Sequence, residues 1–272
     1  MITWAIAWTN AKIVNEYLSY YNLIFLRFLL GFVSLLPFVL VLKKPFPKVN
    51  EYKYILLPSL LFLIYNIAFF KGTDYGLAGK GAILVTTLNP LFTVLIMSLI
   101  NKKISTKEIV GVLLGILGGY IIMDLYNIGL KSIFDPSNIY FIICAISWGI
   151  MTVLINYAQK IINPYSFICI CYFITMILSI PFISINEIIT TEYDYKFLIN
   201  FFFVSMGAMS FGTSVYMYYT PILGPSKASI FIFSVPFLAI GMANIFLGEP
   251  FTSNIAIGGI LSLLAIYIVN KK

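Results

Sequence analysis

A chain of 272 residues that is 61% hydrophobic and only 10% charged, with a mean hydropathy of +0.98, cannot hide its apolar surface in a water-soluble globule. Such a globule carries about 25% charged residues and must present a polar exterior. The formal net charge of +7 would suit nucleic acid, but its distribution along the chain excludes that partner and leaves lipid as the solvent.

A helix needs about 20 apolar residues to cross a bilayer. Taken in chain order, the apolar segments are 1–17, 20–42, 54–71, 78–100, 105–124, 138–158, 164–185, 196–219, 224–247 and 252–270. The sequence therefore predicts an all-α membrane protein of about ten transmembrane helices, with no room for a separate soluble domain. The N-terminus has no basic region before its first apolar run and no clear small-residue cleavage site, so the first helix is read as a retained span. The cysteines Cys144, Cys169 and Cys171 all fall inside apolar runs, without disulfide or metal-ligand spacing.

Alternate loops collect the basic residues. Lys43, Lys44, Lys48 and Lys53 share one side with Lys102, Lys103, Lys107, Lys160, Lys227, Lys271 and Lys272. The other side holds only Lys71, Lys80, Lys131 and Lys196, and it holds the acids Glu16, Asp74, Asp124, Asp135, Glu187, Glu192, Asp194 and Glu249. Lys and Arg mark cytoplasmic loops. Both termini are therefore expected in the cytoplasm, with the protein in the plasma membrane and its basic face toward anionic headgroups rather than nucleic acid.

One register links the two halves. Trp4 and Trp148 stand 144 positions apart, as do Tyr21 and Tyr165 and the pairs Pro37-Phe38 and Pro181-Phe182. Pro90 and Pro236 stand 146 apart, while Gly111 and Gly258, and Tyr120 and Tyr267, stand 147 apart. Residues 1–124 and 138–272 thus read as two five-helix units. Because five is odd, the second unit enters from the opposite face, giving two inverted five-helix repeats. Only Met1–Thr3 precede Trp4, against about ten apolar residues before Trp148. A truncated or misassigned start is expected, beside the alternative of a short first helix that thins the bilayer.

Several chemistries are missing. There is no His, so His-dependent nucleophiles are excluded, and Ser210-Phe211-Gly212 has no base to activate its hydroxyl. No carboxylate lies deep in a span, and Gly76-Leu77-Ala78-Gly79-Lys80-Gly81 lacks the spacing of a phosphate loop. No enzyme activity, metal or cofactor is expected.

The intramembrane charges are Lys12 and Arg27. Lys12 could pair with Glu16 four residues on, snorkel to the interface, or attract an anionic solute; Arg27 reads as a structural tie or a functional charge. Pro90 and Pro236 each free a carbonyl four residues back, at Thr86 and Ile232, so they are candidate hinges with Asn89 and Ser234 beside them. The candidate solute-binding residues are Trp4, Asn10, Lys12, Asn66, Thr86, Asn89, Trp148, Ser210, Tyr216 and Ser234. Polar and aromatic side chains of these kinds line small-molecule cavities, although each could equally serve helix packing. Gly111, Gly115 and Gly119 repeat every fourth position, and Gly258 and Gly259 match them, so the fifth and tenth spans read as posts away from the solute.

The sequence resembles EamA-type members of the drug/metabolite transporter superfamily. The resemblance rests on Trp4-Ala5 with Lys12, on Phe25-Leu26-Arg27-Phe28, and on Leu88-Asn89-Pro90-Leu91-Phe92. Ser234-Val235-Pro236-Phe237 and Leu247-Gly248-Glu249-Pro250 followed by Gly258 complete it. It implies ten helices in inverted repeats around a central cavity, and export or exchange of amino acids or other metabolites. Asn101-Lys102-Lys103 departs from the usual Gly-Glu of that family, and Cys171 stands at the position of Arg27 in the second copy. The expected function is a secondary transporter of small polar metabolites by alternating access, with a non-transporting membrane scaffold as the alternative.

Overall fold

The computed structural model describes residues 1–76, 78–134, 138–247 and 252–271. The expected features at Leu77, Asp135, Gly248–Pro250 and Lys272 lie outside these. Among the described residues the chain is all-helical, with no strand.

The principal helices are α1 (Ile2–Val14), α2 (Tyr20–Val41), α3 (Lys53–Tyr75), α4 (Ala78–Asn101), α5 (Thr106–Ile122), α6 (Ile139–Ala158) and α7 (Pro164–Ser179). After them come α8 (Tyr195–Leu223), α9 (Pro225–Ile230, a 3-10 turn at Phe231–Phe233, then Ser234–Leu247) and α10 (Ser253–Asn270). Local chemistry sets several starts. Pro164 occupies the first turn of α7, where it lacks no needed donor, and the Tyr165 N–H donates to Asn163 Oδ1 at 3.1 Å. At α5 the Ser105 N–H donates to Glu108 Oε2 at 3.0 Å.

Among the described residues seven helices are long and apolar enough to cross a membrane: α2, α3, α4, α6, α7, α8 and α10. Of the other three expected spans, α1 has 13 residues and α5 has 17, and the apolar stretch of α9 that is fully described is Pro225–Gly241, with a 3-10 turn inside it. The outer surface is apolar: Val33, Phe38, Leu40 and Val41 on α2 and Leu99 on α4 are exposed. That arrangement suits a lipid solvent.

The packing pairs the two halves. Helix α1 packs on α8 and α9, as α6 packs on α3 and α4; α2 packs on α7, and α5 on α10. Tyr21 at the start of α2 stacks on Phe182, just past the end of α7, with centroids 5.2 Å apart, so these helices run antiparallel. The start of α5 meets the end of α10, where Lys107 Nζ donates to the Lys271 carbonyl at 2.9 Å. Gly118 makes close approach possible there: a Cβ on it would sit 2.7 Å from the Gly258 carbonyl oxygen.

Candidate functional site

A narrow chamber of about 40 Å³ lies between the halves. From the first half come Trp4, Trp8, Arg27, Tyr65, Asn66, Thr86 and Asn89; Trp148, Ala208, Met209, Thr213, Ile232 and Val235 belong to the second. Five of the expected solute-binding residues are thus brought together: Trp4, Asn66, Thr86, Asn89 and Trp148. The repeat-related tryptophans meet edge to face, with centroids 5.0 Å apart. Trp148 also packs on Tyr65 at 4.8 Å.

The prolines shape this wall. Pro90 sits inside a continuous α4, and its missing N–H leaves the Thr86 carbonyl without its usual helical partner. The Thr86 hydroxyl donates back to the Ala82 carbonyl, and the Thr93 hydroxyl to the Asn89 carbonyl at 3.1 Å. Ahead of Pro236 the helix tightens into its 3-10 turn, next to Ile232.

The other expected residues lie elsewhere. Ser234 donates to the Phe231 carbonyl at 2.8 Å. Asn10 is buried, with its Nδ2 unpartnered, but does not line the chamber. Ser210 lines a lateral groove between α2, α7 and α8, with Ser34, Tyr165 and Tyr218. Tyr216 donates to or accepts from Thr152 Oγ1 at 3.1 Å and faces a second chamber of about 230 Å³ near Met1. Trp4 borders both chambers, and its ring lies 5.1 Å from that of Tyr216, so this pair forms the partition between them.

Lys12 is exposed at the acidic end of the bundle, with Nζ 3.4 Å from the Gly76 carbonyl. The anticipated Lys12–Glu16 pair does not form: Glu16 instead bonds Lys196, on α8, at 3.1 Å. Tertiary packing brings α8 to the end of α1 and offers Glu16 a partner that the helix spacing could not reveal. This ion pair belongs to a set of polar ties at the acidic end. Glu187 accepts from the Ser19 N–H at 2.5 Å, the Ser19 hydroxyl at 2.9 Å and Asn22 Nδ2 at 2.7 Å. Asp194 accepts from the Phe197 N–H at 2.7 Å and the Tyr17 hydroxyl at 2.9 Å. The Phe197 N–H, with smaller help from Tyr17 and Lys196, holds the Asp194 carboxyl below its ordinary 3.8. Partial desolvation and the same Asp194 contact raise the Tyr17 phenol.

Arg27, which the sequence left between a structural tie and a functional charge, lines the chamber. One feature of the site escapes sequence reasoning: a π-helical stretch, Phe203–Thr213, within α8. Its Ala208 carbonyl accepts both from Trp4 Nε1 at 3.0 Å and from the Thr213 hydroxyl at 3.0 Å. Gly212 lets α1 come this close, because any Cβ there would collide with Thr3 Oγ1.

A lipid-facing helical bundle that encloses a small chamber defines a multi-pass integral membrane protein of the transporter class. The chain belongs to the EamA-like transporter family, whose profile matches residues 1–124 and 136–271. It is 24% identical over 275 residues to an "Uncharacterized transporter" of Archaeoglobus fulgidus, covering 99% of this chain and 95% of that protein. It is also 24% identical over 272 residues to the "Uncharacterized transporter YoaV" of Bacillus subtilis, covering 98% and 92%. A solved crystal structure matches 99% of this chain and 96% of its own, with a TM-score of 0.72 at 16% identity, which establishes a shared fold.

Proposed function

We propose that this protein is a secondary carrier, an exporter or exchanger, that moves small polar metabolites by alternating access through the Trp4–Trp148 chamber. The single observation that carries the reading is the placement of that chamber. It lies where two like halves meet, with the repeat-related tryptophans in contact across the seam. Sites at the midplane between repeats are the rule for such carriers.

The architecture behind this reading is ten spans in two inverted repeats, 1–124 and 138–272. Its support is the exchange of packing partners between equivalent helices, with α2 antiparallel to α7 and α5 antiparallel to α10. Helices of equal rank that cross antiparallel at a common seam are what an in-plane pseudo-two-fold axis produces. Among the described residues α5 and α10 contribute none to the chamber lining, in keeping with a role as posts. Pro90 and Pro236 serve as hinges, and the ties at the acidic end close one mouth. The excess of Lys in alternate loops supports the reading of a plasma-membrane chain with both termini in the cytoplasm.

Uptake and counterflow in proteoliposomes, with a panel of labelled metabolites, test the proposal. Saturable movement that Trp148→Ala abolishes is the expected result. A correctly oriented preparation that moves no solute would favour the membrane-scaffold alternative.

A further inference from the structure

Among its described lining residues the central chamber holds one formal charge and no carboxylate to balance it. Arg27 is buried, at 6% exposure, and its Nη1 donates to Asn66 Oδ1 at 2.7 Å. Its Nε has no partner. The guanidinium carbon lies 5.5 and 5.7 Å from the ring centroids of Phe69 and Phe70. Among the described residues no Asp or Glu lines the chamber or pairs with Arg27. A guanidinium offers five N–H donors in a fork that matches a carboxylate, and one neutral amide uses only one of them. A cation held in a membrane interior without a counterion is costly and marks a ligand path.

Its orientation is fixed from behind. Asn66 Nδ2 donates to the Phe62 carbonyl at 2.8 Å, which turns Oδ1 toward Arg27 and makes Asn66 a positioning residue. The opposite wall carries no charge. The second half supplies Ala208, Met209, Ile232 and Val235 beside Trp148 and Thr213, and the residue 144 positions after Arg27 is Cys171. Among the described lining residues the chamber is cationic on one side only.

We propose that the chamber selects small amphipathic organic monoanions, with the anionic head on the Arg27 fork and the apolar body against Met209, Ile232 and Val235. This rests on the reading of the chamber as the solute site. A zwitterion is the poorer ligand, because no carboxylate among the described lining residues faces an ammonium group.

The test uses one carbon skeleton in three charge states: α-ketoisocaproate, its neutral amide, and leucine. Binding to the purified full-length protein is read as the concentration needed to raise Tm. The keto acid is expected to bind about 10- to 100-fold tighter than its amide, the range for one charged hydrogen-bonded pair. Arg27→Gln is expected to erase that preference and Arg27→Lys to keep part of it. Comparing acid with amide inside each variant cancels any change in intrinsic stability. Equal affinities of acid and amide in the native protein, or an undiminished preference in Arg27→Gln, would overturn the proposal. Counterflow in proteoliposomes separates the two readings. Acid-selective binding with no solute moved would keep the anion site and sink the carrier. Leucine moved equally well by native and Arg27→Gln protein, with no preference for the keto acid, would keep the carrier and sink the anion site.

Discussion

Replacing Glu187 with Ala should loosen the acidic end of the bundle. The carboxylate accepts three hydrogen bonds, two from Ser19 and one from Asn22, and so clips the α1–α2 turn to the short helix Ile185–Thr190. A net hydrogen bond is worth about 0.5–1.5 kcal/mol, and this half-buried, solvent-reached group belongs at the lower end. Three such bonds therefore contribute about 1.5–2 kcal/mol to the closed mouth, which corresponds to a roughly 10- to 30-fold change in the open-to-closed ratio. Asn22 keeps its bonds to the Ser184 backbone, at 3.2 Å and 2.9 Å, so the fold itself should survive. The assay is the distance distribution between spin labels at Tyr75 and Tyr195, exposed positions on the two sides of this mouth, with the protein in nanodiscs. A longer-distance population should grow in Glu187→Ala. An unchanged distribution in a folded variant would refute the idea that these bonds hold the mouth shut.

Gly118→Val should destabilise the α5–α10 seam by about 1–3 kcal/mol through overpacking, because the new side chain must displace the Gly258 backbone; Tm in detergent measures it, and an unchanged value would refute close approach there. Asp194 titrates below its ordinary 3.8 in the folded protein, so its contribution is complete above that pH and lost as pH falls through the lower folded value. The Tm difference between native protein and Asp194→Ala should thus stay constant from neutrality down to 3.8 and shrink only below it; a difference already shrinking near neutrality would point to another group. Pro236→Ala should restore a helical hydrogen bond near the 3-10 turn and slow transport several-fold while solute affinity is kept; an unaltered rate would remove Pro236 as a hinge.

Much of the architecture was legible in the sequence because lipid imposes a simple code. Long apolar runs, Lys-rich alternate loops and a repeated Trp, Pro and Gly register are local signals, and they located the helices and the glycine seam between α5 and α10. Half of the candidate site was legible for the same reason, since Trp4, Asn66, Thr86, Asn89 and Trp148 are polar or aromatic groups set within apolar runs. The remainder depends on long-range contacts. Trp4, on another helix, donates to the Ala208 carbonyl inside the π-helical stretch, and Ser210 and Tyr216 on the same long helix face other openings than the chamber. The charge in the chamber belongs to Arg27 rather than Lys12. Asn66 turns Arg27 inward, whereas the Gly76 carbonyl receives Lys12 at the rim, and neither neighbour is near in sequence.

Cysteine placed at Asn89, on the chamber wall, tests the central claim most directly when probed with a membrane-impermeant thiol reagent from each face of oriented vesicles. Alternating access requires labelling from both faces, with solute protecting the site from either one. Labelling from one face alone, or from neither, would contradict a chamber that opens in turn to the two sides of the membrane.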